Sequence, residues 1–321
     1  MTMVSVIIPT YNRASLIREA LESVFAQSYT DYEVIVVDDG STDSTHEVLR
    51  PYLHRIRYVY QKNRGISASR NRGISLSRGD TVAFLDSDDR WLPEKLARQV
   101  ATLAAHPRVG LVCSRIWRYE IGREERREVV PTELPKRFEE LLAGSTFIPT
   151  STVLLRRHCL ETVGTFDRTL PVAEDRDLWL RIARHFEIVC LEEPLAEHRR
   201  HPENTTRQMT RIYEGYWRLY SKLFALYGET PSQRRRFEQK AFFFRYLLGT
   251  TYLKQRKMPQ ALGHLAGSLR RPSCIVTFYL DKGKHLSFST RLASFLKPYG
   301  AFALSLLGAM VSIVVPNWRS R

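Results

Sequence analysis

The chain has 321 residues, about two domain-lengths, and 43% of them are hydrophobic and 11% aromatic. That is enough apolar material for a large buried core and excludes a wholly disordered chain, while 16 Gly and 15 Pro exclude a collagenous or low-complexity one. The net charge of +15 is concentrated late: Glu229 to Arg321 holds 16 Lys+Arg against 3 Asp+Glu, and the first 228 residues carry a balance of only +2.

Taken in chain order, the first 115 residues alternate two periods. Val4 to Thr10 is an apolar, β-branched run, and Arg13 to Gln27 has helical spacing. Glu33 to Val37 is apolar again and ends in Asp38-Asp39-Gly40-Ser41, after which Thr42 to Leu49 reads as helix. Ile56 to Tyr60 predicts a short strand and Ile66 to Ser77 a helix. Thr81 to Leu85 predicts a strand ending in Asp86-Ser87-Asp88-Asp89, followed by a helix over Pro93 to Ala105 and a strand over Val109 to Ser114. Strands that are apolar throughout and alternate with helices imply an α/β fold, with a mostly parallel sheet covered on both faces. Such sheets bind ligands just past the carboxyl ends of their strands, where the polar clusters stand.

Residues 116–145 are charged and irregular, which predicts a surface excursion. FIPTSTVLLRR then reads as strand, HCLETVGTFD as a short helix stopped at Gly164, AEDRDLWLRIARHF as helix and EIVCL as strand. EEPLAEHRRHPENTTR reads as a polar loop. From about Met209 the chain reads as all-helical, so the expected division is 1–208 and 209–321. Leu248, Gly249, Tyr252, Ala261 and Leu265 fall at the spacings of a tetratricopeptide hairpin; an ordinary amphipathic helix pair is the alternative. Pro298 to Trp318 is uncharged, but its apolar heart, Ala301 to Val315, is shorter than the roughly 20 residues that span a bilayer. With its basic flanks it predicts a helix lying on an anionic membrane surface; a packed domain or an oligomer contact is the alternative, and nucleic acid is not an expected partner. The four cysteines, Cys113, Cys159, Cys190 and Cys274, form no C-x-x-C pair, which excludes a disulfide scaffold or zinc ribbon and suits a reducing compartment. MTMVSVIIPTYN lacks the basic start and cleavage site of a secretory signal.

Several clusters carry chemistry. Three acids in four residues at Asp86, Asp88 and Asp89 repel one another unless something neutralises them. Mg²⁺ does so with one or two protein carboxylates, leaving its other positions to water and phosphate oxygens. The alternative is that Asp88 or Asp89 caps the following helix. Asp38 and Asp39 suit either turn chemistry or hydrogen bonds to a nucleobase or ribose, with Tyr11 on the neighbouring strand end able to stack on a base. The glycines of NRGISASRNRGISLSRGD match neither a dinucleotide fingerprint nor a P-loop, though Arg64, Arg70 and Arg72 suit either cations near a diphosphate or a solvated helix face. Glu174 and Asp175 open a helix, as a general base or as dipole-favoured acids. His198, Arg199, Arg200 and His201 share one polar segment, which suits either contact with a diphosphate or metal or a plain surface loop.

VSVIIPTYNR, VIVVDDGSTD, NRGISASRNRGISLSRGDTVAFLDSDD and AEDRDLWLRI, in this order, resemble the family-2 inverting glycosyltransferases with the GT-A fold, over residues 3–205. The resemblance implies a nucleoside-diphosphate sugar donor, with UDP favoured, and a divalent cation, Mg²⁺ or Mn²⁺. It places Pro9, Tyr11 and Asp39 at the base, Arg70 near the nucleotide and Asp86 at the ribose or the metal shell. It makes Asp88 the direct metal ligand and Asp175 the catalytic base with Glu174 beside it, and it sets Arg199, Arg200 and His201 over the diphosphate. The Gln-x-x-Arg-Trp motif of processive synthases is absent, so a single transfer to a saccharide or lipid-linked saccharide is expected, in bacterial surface-glycan synthesis on the inner face of the membrane. Two rivals are a sugar-phosphate nucleotidyltransferase, whose N-terminal Gly-rich Lys signature is missing, and a non-catalytic scaffold whose helical tail does the work.

Overall fold

The computed structural model describes residues 2–131, 133–135, 138–143, 146–204 and 208–268. The described residues fall into two compact units, those up to Thr169 with Glu174–Asn204, and Leu170–Ala173 with those from Gln208 to Ser268.

Four parallel strands build one half of the first unit's sheet: Val4–Thr10 (β1), Tyr32–Asp38 (β2), Arg57–Tyr60 (β3) and Thr81–Phe84 (β4). Every residue of β1 and β4 is buried, as expected for strands covered on both faces. The crossovers carry Ile17–Phe25 (α1), Thr45–Leu49 (α2) and Ile66–Leu76 (α3). Helix α3 lies close on β1 because Gly73 has no side chain: a Cβ there would stand 2.3 Å from Ile7 Cγ2. After β2 the chain turns at Gly40, whose φ of +84° is one that glycine adopts without strain.

The other half of the sheet is mixed. Arg90–Trp91 (β5), Lys95–Ala105 (α4), Val109–Glu120 (β6), Glu128–Val130 (β7), Phe138–Ala143 (α5), Leu154–Arg156 (β8), Arg157–Val163 (α6), Glu174–His185 (α7) and Glu187–Arg200 (β9) follow in order. The strand order is β3-β2-β1-β4-β8-β6-β9-β5, with β7 beside β6. Strand β8 runs antiparallel to β4 and β6, while β6 and β9 run parallel.

Three local expectations change. Strand β6 does not stop at Ser114, and β9 continues through the segment read as a polar loop, because the two pair as far as Glu120↔Arg200. A partner 80 residues away supplies the hydrogen bonds that local polarity argues against. Pro194 is tolerated within β9 at a register irregularity opposite Arg115. The same register sets Cys113 against Cys190, and these form a disulfide with a Cα–Cα distance of 4.5 Å. Their spacing of 77 residues carries no sequence signal for the bond, and the bond departs from the expectation of cysteines suited to a reducing compartment.

Beneath the sheet, Lys95 is fully buried. Its Nζ donates to Gln99 Oε1 at 2.7 Å and lies 4.1 Å from the Trp91 ring centroid. Burial holds its pKa well below the ordinary value. The unfolded chain therefore binds a proton that the native state releases, and stability should rise with pH up to the unfolded pKa of about 10.4. One such proton contributes at most about 1.4 kcal/mol per pH unit. Lys95→Met is expected to remove that slope in urea titrations between pH 7 and 9. Equal slopes in the two proteins would assign the proton elsewhere.

The second unit contains Met209–Tyr227 (α8), Pro231–Lys254 (α9) and Met258–Ser268 (α10). Thr230 and Gln233 form a reciprocal capping box at the start of α9. Leu248, Ala261 and Leu265 are buried, and Gly249 lets α10 approach, since a Cβ there would meet Leu265 Cγ at 2.8 Å. No described helix is long and apolar enough to cross a membrane. The uncharged segment Pro298 to Trp318 and Cys274 lie outside the described residues.

Candidate functional site

The carboxyl ends of β1, β2 and β4 place three polar segments side by side. Tyr11 follows β1 and is 45% exposed, so its ring is available to a ligand; Pro9 is buried within β1, paired with Val37. Asp38 and Asp39 end β2 and divide the work. Asp38 accepts from Ser41 N at 2.8 Å and from the Tyr58 hydroxyl at 2.8 Å, which is turn and sheet chemistry. Asp39 accepts from Gln61 Nε2 at 2.7 Å, Arg64 N at 2.9 Å and Gly65 N at 2.8 Å, and so shapes the loop before α3. A carboxylate offers about four acceptor positions, which leaves one for an outside donor.

Past β4 the three acids have separate partners. Asp86 accepts from Arg70 Nη2 at 2.7 Å. Asp88 Oδ2 lies 2.9 Å from His201 Nε2, 3.4 Å from Asn204 Nδ2 and 3.7 Å from Arg13 Nε. Asp89 is fully enclosed: Ser151 Oγ donates to it at 2.5 Å, and His198 Nδ1 stands 3.0 Å away. Neither Asp88 nor Asp89 caps a helix, since α4 begins at Lys95 after Glu94.

Electrostatics follow from these partners. Burial pushes the Asp88 carboxyl up, but the His201 hydrogen bond and the Arg13 charge outweigh it and hold it below the ordinary value. Burial wins at Asp89, which is raised despite His198. Burial would lower His198, yet Asp89, with Asp88 and Asp86, raises it to about 8.

Arg70 is 2% exposed and joins two segments distant in sequence. Its Nη1 donates to Glu174 Oε1 at 2.6 Å while Nη2 holds Asp86. It is thus a strut between the acid loop and the start of α7, enclosed beneath the site. Burial raises Glu174 to about 7, with Arg70 opposing and Asp175 adding to the shift. Asp175 is partly buried beside it; its Oδ1 accepts from Arg176 N at 2.7 Å and its Oδ2 from Thr150 Oγ1 at 3.1 Å.

His198, Arg199 and Arg200 lie in strand β9, with His201 just beyond it, so the expected polar loop is here a strand end. Arg199 is buried and donates to the Asp88 carbonyl at 2.7 Å and to Glu19 at 2.8 Å. Arg200 is exposed, and its carbonyl accepts from Ile121 N at 3.1 Å. The structure therefore gathers Asp86, Asp88, Arg70, Glu174, Asp175, Arg199 and His201, with Tyr11 and Asp39 on the adjoining strand ends.

Sequence reasoning missed Thr150 and Ser151, because FIPTSTVLLRR reads as one strand whereas Thr150–Thr152 is a 3-10 turn. Arg13 and Asn204, which touch Asp88, were missed as well. A run of three hydroxyl residues before a buried strand was the available signal.

Among the described residues no group of three or more His, Cys, Asp or Glu closes into a protein-only metal cage. The donor set that is present, the partly exposed carboxylates of Asp86 and Asp88, fits a hard cation that draws its remaining ligands from water and phosphate.

Residues 5–164 match the model of glycosyl transferase family 2. The chain is 32% identical to an uncharacterized glycosyltransferase of Rickettsia typhi over 228 residues, which cover 68% of this chain and 70% of the relative. It is 43% identical over 102 residues to TuaG of Bacillus subtilis, a glycosyltransferase named for teichuronic acid biosynthesis, covering 30% of this chain and 40% of TuaG. Among solved structures, S. aureus TarS 1–349 in complex with UDP-GlcNAc superposes with a TM-score of 0.60 at 19% identity, over 84% of this chain and 81% of TarS 1–349. Mannosyltransferase PcManGT of Pyrobaculum calidifontis, in complex with GDP-Man and Mn²⁺, gives 0.55 at 19% identity, over 98% and 87%. At these identities the likeness is one of fold, and the fold is GT-A.

Proposed function

From the premise that the chain belongs to glycosyl transferase family 2 and is a glycosyltransferase, we propose that it moves one sugar, with inversion, from a nucleoside-diphosphate sugar to a hydroxyl of a saccharide or lipid-linked saccharide in bacterial surface-glycan synthesis. The observation that carries this reading is the Arg70 strut, which ties Asp86 of the acid loop to Glu174 beside Asp175. That link supports reading a diphosphate-and-cation site beside a candidate base. A UDP-sugar is the favoured donor, in keeping with the UDP-GlcNAc bound by TarS.

In this reading Tyr11 stacks on the base, with Pro9 and Asp39 shaping its pocket. Asp88, with Asp86, holds Mg²⁺ or Mn²⁺, as Mn²⁺ accompanies GDP-Man in PcManGT. When bound, the cation supplies positive charge against the departing nucleoside diphosphate. Arg199 orients the Asp88 backbone, and His201 steadies the Asp88 carboxylate. Arg200 lends a cation at the strand end. Asp175 takes the acceptor hydroxyl's proton as that oxygen attacks the anomeric carbon opposite the diphosphate, so one displacement inverts the centre. Holding both substrates in one pocket adds the advantage of orientation.

A thermal-shift panel tests the donor reading: UDP, GDP and dTDP, each with and without Mn²⁺. Ligands that bind only the native state raise the midpoint. UDP with Mn²⁺ should give the largest rise, and no shift from any of the three would overturn the donor reading.

The basic, apolar tail supports a peripheral place on the inner face of the membrane, with residues 209–321 as the contact part. Each Lys or Arg near an anionic surface contributes about 1 kcal/mol, and salt weakens that share. The full chain is expected to pellet with phosphatidylglycerol vesicles, with only a fraction released by high salt. A protein left in the supernatant at low salt would contradict the localisation.

A further inference from the structure

The turn Thr150–Thr152 reaches both halves of the site from one buried position. Thr150 is 5% exposed, and its hydroxyl donates to Asp175 Oδ2 at 3.1 Å. The other oxygen, Oδ1, accepts from the amide of Arg176. The carboxylate is thus held at one end by its own helix and at the other by a residue 25 positions away. Ser151 Oγ bonds Asp89 at 2.5 Å and accepts from Asp86 N at 3.1 Å, so the next residue along grips the acid loop.

The turn itself is clamped from the core. Trp91 Nε1 donates to the Ser151 carbonyl at 2.7 Å, and Gln99 Nε2 to the Thr152 carbonyl at 2.7 Å. The Thr152 hydroxyl closes back on the Pro149 carbonyl at 2.7 Å. A turn fixed at this many points has little freedom to shift, and what it holds inherits that rigidity.

We propose that Thr150 is a positioning residue for the general base. Its hydroxyl fixes the rotation of the Asp175 carboxylate, and the turn that carries it sets the distance from base to acid loop. This rests on the reading of Asp175 as base. A general base works only within hydrogen-bond reach, about 2.6–3.2 Å, of the proton it removes. A carboxylate free to rotate about its side-chain bonds spends much of its time outside that reach, and a misplacement of about 1 Å can cost 10²-fold. The hydroxyl contributes geometry alone; it exchanges no proton with substrate.

The test measures nucleoside diphosphate released from UDP-GlcNAc, UDP-glucose and GDP-mannose with Mn²⁺, with the full chain and whichever donor turns over. Thr150→Val keeps the shape and removes the donor, and should lower kcat by about 10- to 100-fold with donor KM changed less than about 2-fold. Thr150→Ser should restore most of kcat, and Thr150→Ala should not. The Ser and Ala variants differ by one hydroxyl, so their comparison decides the matter even where Val perturbs packing. In a double-mutant cycle, Thr150→Val should cost nothing further in an Asp175→Asn background, because a positioning residue has no effect once its client is gone. Additive losses, or a Thr150→Ala protein as fast as wild type, would overturn the positioning role while leaving the base intact. An Asp175→Asn protein as fast as wild type would overturn the base reading itself, and the role of Thr150 with it.

Discussion

Asp88→Asn is expected to abolish transfer while leaving the fold in place. The amide keeps the size of the carboxylate and an oxygen for His201 and Asn204, so the contacts seen at 2.9 and 3.4 Å survive in kind. What is lost is the negative charge that His201 and Arg13 hold ionised. A cation's stabilisation of a leaving diphosphate amounts to several kcal/mol, and at about 1.4 kcal/mol per decade that is about 10³-fold in rate. Turnover should fall by that much with the thermal midpoint nearly unchanged. Wild-type protein should lose activity in EDTA and recover it with Mn²⁺. Near-normal turnover of the variant in excess EDTA would remove Asp88 from the metal site.

Asp175→Asn should separate binding from chemistry. The hydrogen bonds of Asp175 run from Thr150 and from its own helix, so the variant should keep its nucleotide-induced thermal shift. Transfer should fall by about 10²-fold or more, the usual scale for removing a general base. Product NMR should show the anomeric centre inverted in the wild type; retention would contradict a single displacement. An equal loss of nucleotide affinity would make Asp175 a binding residue.

The parallel half of the sheet was legible because its signals are local. VSVIIPT and TVAF are mostly apolar and buried end to end, as a strand covered on both faces requires, and each polar cluster follows such a run directly. Asp86, Asp88 and Asp175 could be singled out for the same reason: acids grouped at element ends need a partner wherever they fold. The tail's charge asymmetry was likewise a matter of counting.

What the sequence determined by itself was the α/β class, the family and the short list of acids, all carried by patterns a few residues long. Tertiary structure alone decided who partners whom. Arg70 read as a cation for the nucleotide, and it is buried between Asp86 and Glu174, 16 and 104 residues away. HRRH read as loop and is the end of a strand, because β6 offers it a ladder. PTST read as strand and is a turn whose hydroxyls answer Asp89 and Asp175, and Cys113 meets Cys190 across the same β6–β9 pairing. Propensity and periodicity act over neighbours in the chain. A buried charge or an unpaired backbone group is satisfied by whatever the packed sheet brings near, and chain separation does not limit that choice.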